Sequence, residues 1–172
     1  YGQYDSMYFY VMDYSGPNLV YNRFNVVYDN TTLLTVSGQL KYQAAEKITF
    51  VAQGNYYYYK PKNLTRAYHK PEFDLTFSGI YNLQSKFILR ADLFFIGKQW
   101  ALTQTTDNGA ANLVPKQLKG LADLNLEGEY RYSKMLSFFV RFNNLANQRY
   151  YRWERYPTQR FNFMLGLSFV PF

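Results

Sequence analysis

The 172-residue chain is long enough for one domain with a sizeable core, and with no Cys it offers neither a disulfide nor a thiolate site. No apolar run approaches the ~18 residues of a membrane helix, although strands that cross a bilayer alternate and escape that test. The net charge of +7 is clustered at Lys60, Lys62, Arg66 and Lys70 and again at Arg149, Arg152, Arg155 and Arg160, a pattern of anionic partners or of solvated loops.

The start, YGQYDSMYFY, lacks the basic end, apolar core and cleavage site of a signal peptide and does not begin with Met, so the chain reads as processed or cut from something longer. Alternation then predicts nine strands and no helix: 3–14, 19–29, 32–43, 47–59, 67–83, 86–102, 120–132, 136–151 and 159–172. Turn signals separate them at SGPN (15–18), DNT (29–31), AAEK (44–47), QSK (84–86) and SK (133–134). These strands exceed the globular mode of ~5–6 residues and suit the ~9–11 that cross a bilayer at a tilt.

Each strand has one apolar parity. Leu34, Val36 and Leu40 mark it in the third, Phe50 and Ala52 in the fourth, Phe73, Leu75 and Phe77 in the fifth. Leu89, Leu93 and Phe95 follow, then Leu124 and Leu126, Phe138 and Phe142, and Phe161 to Phe169. Rows end in tyrosines, namely Tyr42, Tyr56, Tyr58, Tyr81, Tyr130 and Tyr132, whose rings suit oil and whose hydroxyls suit water. The opposite parity carries Arg90, Asp92, Asp123, Asn125, Glu127, Glu129, Arg131, Arg141 and Asn143.

Short connections (44–47, 84–86, 133–134) alternate with long ones (60–70, 103–119, 148–158), as periplasmic turns alternate with outer loops in outer-membrane barrels; only 29–31 breaks the rule. The expected fold is therefore all-β: transmembrane antiparallel β-barrel strands, apolar parity to lipid, polar parity to the interior. Nine strands counted back from a periplasmic end put residue 1 outside. Without the first, eight remain and a small closed barrel is the alternative. A three-residue turn of Ser133, Lys134 and Met135 keeps the faces matched and sets Glu127 opposite Arg141 and Asn125 opposite Asn143.

No catalytic, metal or cofactor motif is found, and the chain reads as a non-enzyme. His69, beside Lys70 and Pro71, reads as a surface histidine. The NYYYYKPKN stretch at 55–63 splits its tyrosines between two faces, which favours an interfacial girdle over a nucleic-acid stripe. Arg149, Tyr151, Arg152, Trp153 and Tyr156 form an aromatic–basic cluster in the last long loop, a rim that contacts lipopolysaccharide phosphates or an outer ligand surface.

Residues 123–172 resemble the end of TonB-dependent outer-membrane receptors, especially Bacteroidetes-type ones. The likeness rests on Asn143-Asn144-Leu145-Ala146-Asn147, Tyr150, Tyr156-Pro157, Gly166-Leu167 and terminal Phe172. It implies a bacterial outer-membrane location and uptake of a nutrient. The alternatives are a structural or complex-scaffolding barrel that transports nothing, and the small eight-stranded barrel. Implied partners are outer-membrane lipid and lipopolysaccharide, the barrel-assembly machinery, and a plug domain, TonB or a surface lipoprotein. The last strand would carry the assembly signal in Phe163, Leu165, Leu167, Phe169 and Phe172, although Phe172 is out of phase with the other four. Barrels of this family hold about 22 strands, so the resemblance implies that the chain is the C-terminal portion of a larger barrel, with the plug domain and the other strands outside it.

Overall fold

The alternation resolves into twelve strands and no helix in a computed structural model that describes residues 1–14, 23–107 and 110–171. In chain order they are β1 (Gly2–Met12), β2 (Phe24–Ala44), β3 (Ile48–Pro61), β4 (Phe73–Leu83), β5 (Phe87–Ile96), β6 (Gln99–Asp107), β7 (Ala110–Leu118), β8 (Leu121–Arg131), β9 (Leu136–Asn143), β10 (Tyr151–Trp153), β11 (Tyr156–Pro157) and β12 (Asn162–Phe169). Eight of them form one antiparallel sheet in the order β1-β2-β3-β4-β5-β8-β9-β12, while β6–β7 and β10–β11 are separate hairpins. Among the described residues β1 and β12 share no ladder, so the eight strands form an open sheet rather than the small closed barrel.

Register follows from turn length. Ala44 opposes Ile48 and Leu83 opposes Phe87, so each connection holds three residues. The Ser137–Arg131 and Phe138–Tyr130 pairs set the same length for Ser133, Lys134 and Met135. An odd turn returns the chain with its parity unchanged, so apolar rows meet across these three hairpins. Leu40, Ala52, Phe77, Leu93 and Leu124 lie side by side in this way. Among the described residues no second layer covers this face: Leu40 is 77% exposed, and Phe163, Leu165 and Leu167 exceed 60%. A soluble sandwich would bury such a face.

Four expectations are corrected. The DNT turn at 29–31 is absent, and β2 runs through it as one strand of 21 residues. An Asp in a turn folds its carboxylate back onto its own backbone. Asp29 instead accepts hydrogen bonds from the backbone N–H groups of Asn63 and Leu64, both at 2.8 Å. With β-branched Thr31 and Thr32 beside it, the chain stays extended. The main sheet therefore has eight strands, and β1 runs toward the long-connection edge from a start opposite Leu33, midway along β2. The SGPN turn and residues 19–22 lie outside the described residues, as does Phe172.

Residues 103–119, expected as a loop, are mostly the β6–β7 hairpin, paired from Gln99–Leu118 to Asp107–Ala110. Pro115, which argues against a strand, is tolerated because a two-stranded ribbon leaves each strand an open edge. The expected strand 86–102 breaks at Gly97, where a Cβ would come within 2.8 Å of the Phe73 ring. The expected strand 136–151 ends at Asn143 because buried Asn144 turns the chain, with φ of 50°. Its side chain donates to the carbonyls of Gln148 and Gln159 and accepts from Gln148 N–H.

The buried core sits away from the sheet's apolar row. Phe9, Val11 and Tyr68 form it, flanked by Val27, Leu64 and Trp100, where loop 62–72 and β6 pack on the ends of β1 and β2.

Candidate functional site

The polar parity is a chain of cross-strand pairs. Glu127 opposes Arg90 on one side and Arg141 on the other. Arg141 Nε donates to Glu127 Oε2 at 2.7 Å. Asp92 accepts from the Ser78 hydroxyl at 2.6 Å, and, within β8 rather than across strands, Glu129 pairs with Arg131 at 2.9 Å. The β8–β9 ladder stops at Leu126–Phe142, one pair short of the expected Asn125–Asn143 contact. Asn125 accepts instead from Asn144 N–H, and Asn143 donates to Asn162 across the next ladder. Asymmetric carboxamides reach backbone as readily as each other, which register alone does not reveal.

The long connections gather at one edge around two buried groups. Asp29 accepts from both Asn63 nitrogens and from Leu64 N–H. Burial acts to raise its pKa, yet these donors outweigh it and hold the carboxyl below its ordinary range. His69 is 7% exposed, which corrects the surface reading. Its Nδ1 lies 2.7 Å from the Tyr10 carbonyl, and its Nε2 accepts from Glu154 N–H at 3.1 Å. The ring packs on Trp153 with centroids 5.1 Å apart and stands edge-on to Phe24. Buried Glu154 closes the cluster through its 2.9 Å pair with Lys116.

Two clefts open beside this cluster. The first, about 670 Å³, is lined by Lys116, Lys119, Arg149, Tyr151, Glu154 and Arg155, among others. With one carboxylate against four cations, it favours an anionic ligand. The second, about 500 Å³, is lined by Asp74, Thr76, Asp123, Asn125, Tyr150 and Arg152 with apolar neighbours. The Tyr150 hydroxyl donates to Asp123 at 3.2 Å. Burial pushes the Tyr150 phenol upward, and the Asp123 charge acts the same way.

The five outer-loop candidates are thus divided. Arg149 and Tyr151 line the basic cleft, and Arg152 lines the other. Trp153 turns inward against Tyr10, Phe24 and His69, and Tyr156 packs beside Phe24. Tyr56 and Tyr58 stand at the long-connection end of the apolar face, both half-exposed. Tyr42, Tyr81, Tyr130 and Tyr132 stand toward the short-turn end, with Tyr130 stacked on Phe87. Phe163, Leu165, Leu167 and Phe169 project from β12 on the same face. The roles of Asp29, His69 and Glu154 escaped the sequence reading, because their partners lie 34 to 85 positions away in the chain.

No protein-family model and no curated protein matches the chain. Solved structures do. The ferripyoverdine receptor of the Pseudomonas aeruginosa outer membrane matches 93% of this chain with a TM-score of 0.67 at 14% identity. The fold, an all-β antiparallel sheet, is that of part of the barrel wall of such receptors. A pyoverdine-bound outer-membrane receptor of the same species matches 98% of the chain with a TM-score of 0.71 at 13% identity. Its ferric enterobactin receptor matches 97% with a TM-score of 0.65 at 16% identity. The chain spans only 23%, 26% and 27% of these three receptor chains, respectively. All three are Pseudomonas proteins, so the Bacteroidetes-type affinity of residues 123–172 finds no support among them.

Proposed function

We propose that this chain is a wall segment, from the C-terminal part, of a TonB-dependent receptor in a bacterial outer membrane, and that the whole receptor takes up a nutrient rather than catalysing a reaction. One observation carries the reading: an uncovered apolar face extends from Leu40 on β2 to Phe163 and Leu165 on β12, on a sheet with a receptor-barrel fold. Lipid is the solvent that such a face suits. The Arg90–Glu127–Arg141 row then faces a wet interior, braced against a plug domain supplied by the rest of the protein.

The basic cleft at the mouth fits an anionic nutrient, and similar receptors are bound to ferripyoverdine and, in one case, to pyocin S2. Exposed Lys60 follows Tyr56 and Tyr58 on the outward parity of β3, a position suited to lipopolysaccharide phosphates. The β12 row offers the assembly machinery its apolar signal, and TonB or a surface lipoprotein would engage parts outside this chain.

Leu126→Arg tests the lipid assignment. In the full-length protein it should impair insertion by about 2–4 kcal/mol near the bilayer midplane. Insertion and folding equal to wild type would show that this face does not meet lipid.

A further inference from the structure

We propose that His69 is a pH-sensitive latch, holding the β10–β11 hairpin against β1 and loop 62–72 while its ring is neutral and releasing it when the ring is protonated. The partners impose the tautomer. Tyr10 offers its carbonyl, which can only accept, so Nδ1 carries the hydrogen; Glu154 offers its backbone N–H, which can only donate, so Nε2 keeps its lone pair. A second proton can go only to Nε2, where it would point at Glu154 N–H from 3.1 Å. The hydrogen bond becomes a clash of two donors inside an apolar cage of Trp153 and Phe24.

The elements packed on the ring differ in what they contribute. From β1 comes the Tyr10 carbonyl, and from β2 the uncharged Phe24 ring. From β6 comes the Trp100 carbonyl, which accepts from His69 N–H at 2.7 Å. The β10–β11 hairpin contributes Trp153 and the Glu154 carboxylate, itself paired with Lys116 of β7. In the ring's own loop, Lys70 extends over Tyr8 instead. Burial holds the imidazole below its ordinary value, and it prevails over the Tyr10 hydrogen bond and the Glu154 charge, which act to raise it. The latch is therefore fully closed above the ordinary histidine value of about 6.5 and is lost as pH falls below it.

Glu154 couples the latch to the cleft. Its N–H holds His69, while its carboxylate neutralises Lys116 on the cleft wall. Releasing the hairpin frees Lys116 and leaves a cation on His69, so acid both loosens the basic cleft and makes it more positive. The latch stands independently of the receptor reading, and its failure would leave that reading untouched.

Hydrogen exchange of the full-length protein in detergent tests this, with rates corrected for intrinsic pH dependence. Protection of the segment 151–157 should fall about tenfold between roughly pH 7.5 and roughly pH 5. In His69→Gln the protection should be the same at both ends of that range. In Glu154→Gln, which keeps the N–H but removes the carboxylate, the midpoint should move to lower pH. Wild-type protection that stays flat, or a transition that persists unchanged in His69→Gln, overturns the latch. Should His69→Gln fail to fold, a midpoint that rises in Glu154→Gln overturns it equally.

Discussion

Asp29 and His69 work in the same loop cluster with opposite charge preferences. Asp29 is 4% exposed, and its carboxylate serves three N–H donors of Asn63 and Leu64. Asp29→Asn turns one acceptor oxygen into a donor facing other donors, at a cost of about 1–3 kcal/mol to the local structure. The expected result is faster proteolysis or amide exchange across residues 62–64, with the sheet unaffected. Acid should dissect the cluster in order. A carboxyl held below its ordinary value adds stability that is present above that value and lost as pH falls through the lower, folded one. The His69 contribution disappears first, below about pH 6.5, and the Asp29 contribution only below about pH 4. In Asp29→Asn the second step should vanish while the first survives; exchange followed across both windows separates them. Neither role was legible in the sequence. A histidine next to Lys70-Pro71 and an Asp in DNT look like exposed loop residues, and their true partners, Tyr10, Asn63 and Glu154, lie 34 to 85 positions away.

At the scale of strands and turns, parity did most of the work. The opposition of Glu127 and Arg141 followed from requiring apolar residues to meet across a hairpin, and the ladder pairs them. Their side chains are 24% and 43% exposed, so solvent screens the attraction. A double-mutant cycle on Glu127→Gln and Arg141→Gln should give a coupling of about 0–1 kcal/mol. A larger value would indicate a drier surrounding than this sheet has by itself. Turn chemistry was a weaker guide. Ala45, Gln84 and Ser85 all adopt positive φ without being Gly, so these turns are set by strand pairing rather than by residue preference. The β6–β7 hairpin stayed hidden because Pro115 and its polar neighbours mask the alternation of Trp100, Leu102 and Val114. Gly120 shows how this hairpin rejoins the sheet: a Cβ there would lie 2.7 Å from the Ile96 carbonyl oxygen. Backbone cannot give way as a flexible side chain does. Gly120→Ala should therefore displace the start of β8 from β5 and raise exchange of the Leu121 and Ala122 amides, while distant β3–β4 amides stay protected.

The whole sheet is two-faced, long and open, and its second feature is where β1 stops. β1 pairs with β2 only up to the Gly2–Leu33 contact, whereas β3 pairs with β2 as far as Ala44. Among the described residues, 34–44 thus have a strand on one side and none on the other, and their side chains include Leu40 and Tyr42, among the most exposed apolar groups of the sheet. β12 presents a second such edge, bonded among the described residues to β9 alone. In water, unpaired strand edges recruit other strands; in hydrocarbon, each unsatisfied N–H or C=O costs several kcal/mol, so spanning sheets are closed. If this sheet is barrel wall, both edges are covered in the complete protein. The amides of residues 34–44 that do not bond β3 should then exchange as slowly as those of β4 and β5 when the full-length protein sits in lipid. The same amides should exchange quickly if the chain 1–172 is expressed alone, and that species should not show the heat-modifiable migration of a closed barrel. Slow exchange and heat-modifiability of the isolated chain would mean that the eight strands close by themselves. Fast exchange of this edge in the full-length protein would mean that the sheet is no barrel wall, and would remove the physical basis for placing it in a membrane.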